Sequence, residues 1–254
     1  MSSTPPAPQS GNLPPWITCL DVEGQDPAHY DDHVNEALLR AIEDAPRRVL
    51  ELGCAGGMFG LRLKERFAGA HVTGIEAGRS AAARAATRLD RVIAARLEDV
   101  DFEAQGIAPG EFDLVVAGDV LEHLANPWAA LTRVRPYLAP GGRLVASIPN
   151  VRNLQVVTAL LLNGRWEYAE RGLLDITHLR FFAFEDIRAM FEGTGYALES
   201  FVVNISPPLS KLYHEHLGKG TVTLRLGRLV LSDVSQRELA EFCAEQFVLR
   251  ARVA

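Results

Sequence analysis

The most constraining stretch of this chain is Val49-Leu50-Glu51-Leu52-Gly53-Cys54-Ala55-Gly56-Gly57-Met58-Phe59-Gly60, where an apolar run stops in a turn of small residues and a helix begins. Gly and Ala let a backbone come close to a ligand, and the free N–H groups of a helix start attract an anionic group. The stretch therefore predicts a strand, a tight turn and a helix, with a nucleotide-like ligand over the turn. Glycines at the first, third and sixth places would mark a dinucleotide site, but those places hold Gly53, Ala55 and Met58. Small residues at the first, third and fifth places (Gly53, Ala55, Gly57) describe the turn better.

The rest of the chain repeats the same unit. Val34, Leu38, Leu39 and Ile42 recur at helical spacing, and strands are expected over 47–52, 71–76, 91–96, 112–119 and 143–149. Helices are expected between them over 58–67, 79–89 and 127–138, the last stopped by Pro140-Gly141-Gly142. Alternation of this kind makes a doubly wound parallel sheet with ligands at the carboxyl ends of its strands. A helix over 184–194 and strands over 196–204 and 246–253 complete a seven-stranded set. The expected helix over 237–244 leaves no room for a crossover, so the last strand should run antiparallel. The domain reading is a flexible leader over 1–28 and one domain over 29–254, with a substrate-side insertion near 150–183 and a second near 205–240.

Composition excludes several functions. With 254 residues, 48% of them hydrophobic and 23% charged, the chain suits one ordinary globular domain, and no apolar run reaches the roughly 18 residues of a membrane span. A net charge of −6 gives no basic footprint for nucleic acid. The first fifteen residues lack the basic and apolar regions of a secretory signal. Cys19, Cys54 and Cys243 cannot all pair and show no metal-ligand spacing, which points to a reducing, cytoplasmic compartment; no metal is implied by the sequence, although Asp119, Asp175 and His178 are conceivable ligands. His214 and His216 read as members of a solvated loop. The oligomeric state is open, and a homodimer is compatible with the sequence.

The turn, together with Glu76 at the end of the second strand and Asp119 within Asp113-Leu-Val-Val-Ala-Gly-Asp119-Val-Leu-Glu122-His123-Leu-Ala-Asn-Pro127, resembles motifs of the class I S-adenosylmethionine-dependent methyltransferases. The resemblance spans about 30–253. It implies a Rossmann-like, mostly parallel seven-stranded sheet with an antiparallel last strand, S-adenosyl-L-methionine as cofactor and S-adenosyl-L-homocysteine as product. It places Glu51, Gly53, Cys54, Ala55, Gly57, Glu76, Ala77, Leu97, Glu98, Asp119 and Val120 around the cofactor. In that reading Glu76 accepts from the ribose hydroxyls, Glu51 helps hold the methionine ammonium end, and Asp119 borders the methyl group. Two departures stand out. Arg96 or Leu97 occupies the place of an adenine-binding Asp, and an arginine cannot accept that bond, so Leu97, Glu98 and Ala77 are the expected adenine contacts. Ala55 replaces a glycine, which a methyl tolerates if its dihedral is ordinary.

The stretch Ser147-Ile-Pro149-Asn150-Val-Arg152 and the later Gly172-Leu-Leu-Asp175-Ile-Thr177-His178-Leu-Arg180-Phe181-Phe182 resemble a bacterial subgroup often associated with polysaccharide and other glycan synthesis. The implied acceptor is a sugar, a glycan intermediate or another small hydroxylated metabolite, methylated on oxygen. His178 oriented by Asp175 is the candidate base, with His123 as a second candidate. The structural reading of the same residues is a lid in which Asp175 pairs with Arg180 and His178 bonds to backbone. Trp166, Tyr168 and Phe182 fit either core or a stacking platform. Two rival functions remain open from sequence: a nicotinamide-dependent oxidoreductase, disfavoured by Met58, and a non-catalytic cofactor-binding subunit of methyltransferase fold.

Overall fold

A computed structural model describes residues 34–254, so the leader over 1–28 lies outside the described residues. The first helix among the described residues, α1 (Glu36–Ala41), starts on Asn35, whose side chain accepts from the Leu38 amide. Then follow β1 (Arg48–Leu52), α2 (Met58–Arg66), β2 (His71–Glu76), α3 (Arg79–Ala85), β3 (Arg91–Ala94), β4 (Phe112–Gly118), α4 (Pro127–Val134) and β5 (Leu138–Pro149). α4 is capped by Asn126 with Pro127 in its first turn, a position where the missing N–H costs nothing. α2 and α3 follow the carboxyl ends of β1 and β2 and begin on Gly57 and Gly78 without a side-chain cap.

The remaining elements are α5 (Leu154–Asn163), α6 (Phe184–Gly193), β6 (Tyr196–Ile205), α7 (Ser210–His216), β7 (Val222–Leu226), β8 (Leu229–Val234), α8 (Gln236–Cys243) and β9 (Ala244–Val253). The main sheet has the order β3-β2-β1-β4-β5-β9-β6. β1 to β5 pair in parallel, and β9 runs antiparallel to both β5 and β6, as the missing crossover required. α8 ends at Cys243 and β9 begins at Ala244, so the chain reverses without a connecting loop.

Strand residues alternate between two apolar layers. Leu50, Leu52, Ile75, Val115 and Leu144 pack on one face with α4 and α6, while Val49, Val72, Leu114, Val116 and Val145 pack on the other with α1 and α2. Both faces are buried, which is why the strands read as continuous apolar runs. β5 departs from the expected boundary: it starts at Leu138 and runs through Pro140-Gly141-Gly142, with an irregularity opposite Phe112 to Leu114 that absorbs the proline. α3 stops at Ala85 rather than reaching Leu89, which turns inward against Gly57 and Gly74.

The segments expected as insertions carry structure of their own. Residues 150–183 contain α5, capped by Asn153 and ended by Gly164 in the left-handed conformation. Residues 205–240 contain α7 and the antiparallel β7–β8 hairpin, and a third apolar cluster ties Leu224 and Val234 to Leu154, Leu239, Phe242 and Cys243. Among the described residues no helix is long and apolar enough to cross a membrane.

Candidate active site

The turn after β1 is shaped by positive dihedrals. Gly53 has φ +62°, Gly57 φ +79° and Ala55, against the expectation of an ordinary dihedral, φ +44°. A Cβ on Gly53 would stand 2.7 Å from Val120 Cγ2, and one on Gly57 would stand 2.9 Å from Ala85 Cα. Gly53 and Gly57 therefore serve the packing of the loop. Ala55 holds a conformation costing an L-residue about 1–2 kcal/mol. Its amide donates to Glu76 Oε2 at 2.8 Å, which fixes the strained turn to the end of β2.

Glu76 also accepts from the Gly78 amide at 2.7 Å, so the start of α3 and the turn after β1 are joined through one carboxylate. Glu51 lies beneath the turn, 5% exposed, with Oε2 lacking a hydrogen-bond partner. Burial, and then the neighbouring Glu76 carboxylate, push its carboxyl up to about 8, offset in part by the Gly60 amide. The Cys54 side chain is core, packed against Gly74, and burial raises its thiol far above the ordinary range. Its amide donates to the Ile75 carbonyl at 3.0 Å and its carbonyl accepts from the Gly57 amide at 2.8 Å, so Cys54 serves the loop rather than facing a ligand with its side chain.

At the expected adenine end, Leu97 is 7% exposed and belongs to the main core, opening a short turn over Leu97–Asp99. Glu98 is partly exposed and stands 4.0 Å from Arg96, and the Glu98 carbonyl accepts from Arg133. Ala77, directly after β2, is exposed. The wall offered there combines apolar surface from Ala77 with the partly open Glu98 carboxylate.

Asp119 follows β4 with φ +50°. Its amide donates to the Ser147 carbonyl and side chain, each at 3.1 Å. The carboxylate is held by Gln246 Nε2 at 2.9 Å and Asn35 Nδ2 at 3.3 Å, and the two amides are themselves joined at 3.2 Å. Asp119 is thus fixed by α1 and β9. Val120 packs against the glycine turn through its contact with the Gly53 position. Sequence reasoning missed Asn35 and Gln246, because nothing local marks an amide that acts across 84 or 127 residues.

Beyond Asp119 the segment 172–182 lies against the turn that follows β4. The Glu122 carbonyl accepts from the amides of Leu179 at 2.9 Å and Arg180 at 3.0 Å. Asp175 does not orient His178 in the expected way: Asp175 Oδ1 accepts from the Thr177 amide at 2.8 Å and Thr177 hydroxyl at 2.6 Å, while His178 Nδ1 meets the Leu173 carbonyl at 3.3 Å. Arg180 gives its guanidinium to the carbonyls of Leu179 and Ala125. The Thr177 hydroxyl, having donated to Asp175, accepts from His123 Nδ1 at 3.0 Å, and the Thr177 carbonyl lies 3.3 Å from the same nitrogen. Both imidazoles are thereby set with the proton on Nδ1 and a bare Nε2.

The two rings meet edge to face at 4.8 Å. His178 Nε2 is 3.9 Å from Glu122 Oε1, too far for a hydrogen bond. Burial lowers the pKa of His123, and burial followed by the neighbouring His123 pushes His178 down to about 4. Imidazoles so placed are neutral at physiological pH, and one with a pKa near 4 is a weak base there. Glu122 is 1% exposed, neither of its oxygens has a hydrogen-bond partner, and burial followed by the Asp119 charge drives its carboxyl well above the usual range.

The aromatic residues divide. Phe182 is buried in the main core, so it is no platform. Phe181 instead joins Trp166 at 5.0 Å and Tyr168 at 6.4 Å, and lies 6.1 Å from the His178 ring.

Residues 23–200 match the family described as a methyltransferase domain, and the chain belongs to that family. It is 31% identical over 196 residues to the ubiquinone biosynthesis O-methyltransferase of Dechloromonas aromatica, covering 75% of this chain and 81% of that protein. It is 27% identical over 209 residues to the enzyme of the same name from Aeromonas salmonicida, covering 78% and 84%. The fold matches solved S-adenosylmethionine-dependent methyltransferases from Archaeoglobus fulgidus (TM-score 0.57, 16% identity, 85% of this chain and 91% of that one) and Mesorhizobium loti (TM-score 0.54, 18% identity, 85% and 96%). The chain is a methyltransferase that uses S-adenosyl-L-methionine. The site suits that cofactor: the turn packs on Val120 and Ala85 where Gly53 and Gly57 have no room for a Cβ, and a buried carboxyl with an unpartnered oxygen lies beneath it. The oxidoreductase reading ends here, since β9 runs antiparallel inside the sheet where a dehydrogenase sheet continues in parallel.

Proposed function

We propose that this enzyme methylates a hydroxyl oxygen of a small, ring-bearing acceptor, of which sugars and glycan intermediates are one class and hydroxylated metabolites another. The observation that carries the reading is the pair of neutral imidazoles, His123 and His178, set beside Asp119 with their bare nitrogens available and flanked by Phe181, Trp166 and Tyr168. When bound, the cofactor supplies an electrophilic methyl group. The residues of the turn hold it: Gly53, Ala55 and Gly57 through backbone, Glu51 from beneath, and Glu76 and Asp119 at the strand ends, with Ala77, Leu97 and Glu98 at the adenine end.

The chain's own task is then to place the acceptor in line and to handle its proton. Positioning alone is worth about 7–11 kcal/mol of barrier in favourable cases. His123, locked by Thr177 and Asp175, is the better-supported proton acceptor, while His178 borders the acceptor. The names of the relatives, O-methyltransferases, favour oxygen as the methylated atom. A reducing, cytoplasmic setting agrees with the free thiols of Cys54 and Cys243.

The test pairs calorimetry with a product assay. S-adenosyl-L-homocysteine should bind the purified chain, and a panel of phenolic and sugar hydroxyl acceptors should give enzyme-dependent S-adenosyl-L-homocysteine. His123→Ala should cut turnover at least 10²-fold while leaving cofactor affinity within about threefold. Turnover confined to amine acceptors, or equal loss of turnover and cofactor affinity, would refute the reading.

A further inference from the structure

We propose that Glu122, His123 and His178 bind one divalent transition-metal cation of the zinc, manganese or iron class, beside the acceptor site. Among the described residues these three bring a carboxylate oxygen and one donor nitrogen from each imidazole within 4.8 Å of one another. From sequence only His178 of the three is a conceivable ligand, in a set with Asp119 and Asp175, because the fold assembles the present set from adjacent positions after β4 and from a third residue 55 positions further on.

Four observations converge on a cation. Glu122 is buried with both oxygens unpartnered, an arrangement that costs several kcal/mol unless something positive or a donor meets it. Two imidazoles face it, with the Asp119 and Asp175 carboxylates close enough to act on its charge, and at 3.9 Å His178 Nε2 lies beyond hydrogen-bond reach of Glu122 Oε1. Each imidazole is anchored through Nδ1, His178 on the Leu173 carbonyl and His123 on the Thr177 hydroxyl and carbonyl, with Asp175 behind Thr177. This is the outer support that metal-bound histidines carry, and it fixes the tautomer that presents Nε2. Finally, the Glu122 carbonyl holds the Leu179 and Arg180 amides, so the two chain segments that supply ligands are already joined.

Two histidines and one carboxylate suit zinc in an open site or iron and manganese in a facial set. Ligands at about 2.1 Å in tetrahedral arrangement stand about 3.4 Å apart, so the cation would draw the three donors inward by side-chain rotation. With the cation bound, His123 Nε2 is a ligand and no longer a base; three protein ligands leave positions for water or an acceptor hydroxyl oxygen, whose pKa falls on coordination, its proton passing to solvent. That consequence for the acceptor rests on the methyltransferase reading; the binding site itself does not.

Chelator-treated full-length chain, titrated with Co²⁺ and followed by visible d–d absorption, and with Zn²⁺ by calorimetry, provides the test. One equivalent should bind with a dissociation constant below about 10 μM, and Glu122→Gln and His178→Gln should each weaken it at least tenfold. His214→Ala, on the distant helix α7, should leave binding unchanged. Homocysteine-product binding, measured in the same metal-free sample, reports on the methyltransferase reading separately. No saturable binding by the native chain, or binding that survives Glu122→Gln and His178→Gln, would overturn the site even if the cofactor product binds normally. Because the native chain decides the first point, a variant that fails to fold leaves the test intact.

Discussion

At the scale of single residues, the turn after β1 stores strain in Ala55. Glycine occupies φ +44° at little steric cost, so Ala55→Gly should be neutral or stabilising by up to about 1 kcal/mol, whereas the same change at the buried helical Ala82 should cost about 1 kcal/mol. Parallel thermal unfolding of the two variants decides this, and an equal loss at both sites would exclude the strain argument. Glu51 gives a second expectation. Its folded pKa of about 8 exceeds the ordinary 4.5, so between those values the folded chain binds more protons than the unfolded one and stability falls as pH rises. Glu51→Gln removes that share: denaturant unfolding of the cofactor-free protein should show a shallower decline between pH 5 and 9, the variant gaining a few kcal/mol at most at the alkaline end. A variant with the parent's slope would mean that Glu51 is ionised in the folded protein.

At the scale of elements, the antiparallel β9 supplies the amide that steadies Asp119. Gln246 opens that strand's pairing with β5, opposite Pro149, and so sits where the parallel strands end. Gln246→Ala should cost about 1–2 kcal/mol of stability, the worth of a hydrogen bond to a charged group, and should raise the dissociation constant for S-adenosyl-L-homocysteine several-fold. Gln246→Glu, which sets a second carboxylate against Asp119, should be worse than alanine; calorimetric titration of both variants checks the order. β1, β2 and β4 were legible because both their faces are buried, and α2 because a glycine turn announces it. α5 and the β7–β8 hairpin were not, since their apolar residues serve a separate small cluster and interrupt the period of the main sheet. The Glu51, Glu76 and Asp119 positions could be read from strand ends. The Glu122, His123 and His178 set could not, for Glu122 stood in view as part of a motif, yet only tertiary packing shows that both of its oxygens lack partners. Phe181 and Phe182 likewise differ only in which way the chain turns them.

At the scale of the whole molecule, the sheet is closed from its middle. Among the described residues β6 pairs with the sheet solely through β9, which is the last of their strands in sequence and lies between β5 and β6. During synthesis, then, the first five strands emerge in an order that lets each dock on finished neighbours, but β6 must wait beside an open slot. Until residues 244–253 leave the ribosome, β5 presents a free edge of backbone donors and acceptors and β6 carries Phe201 and Val202 without a partner strand. A nascent chain paused in that interval exposes two sticky edges shaped for the same missing strand, and a second paused copy is able to fill them.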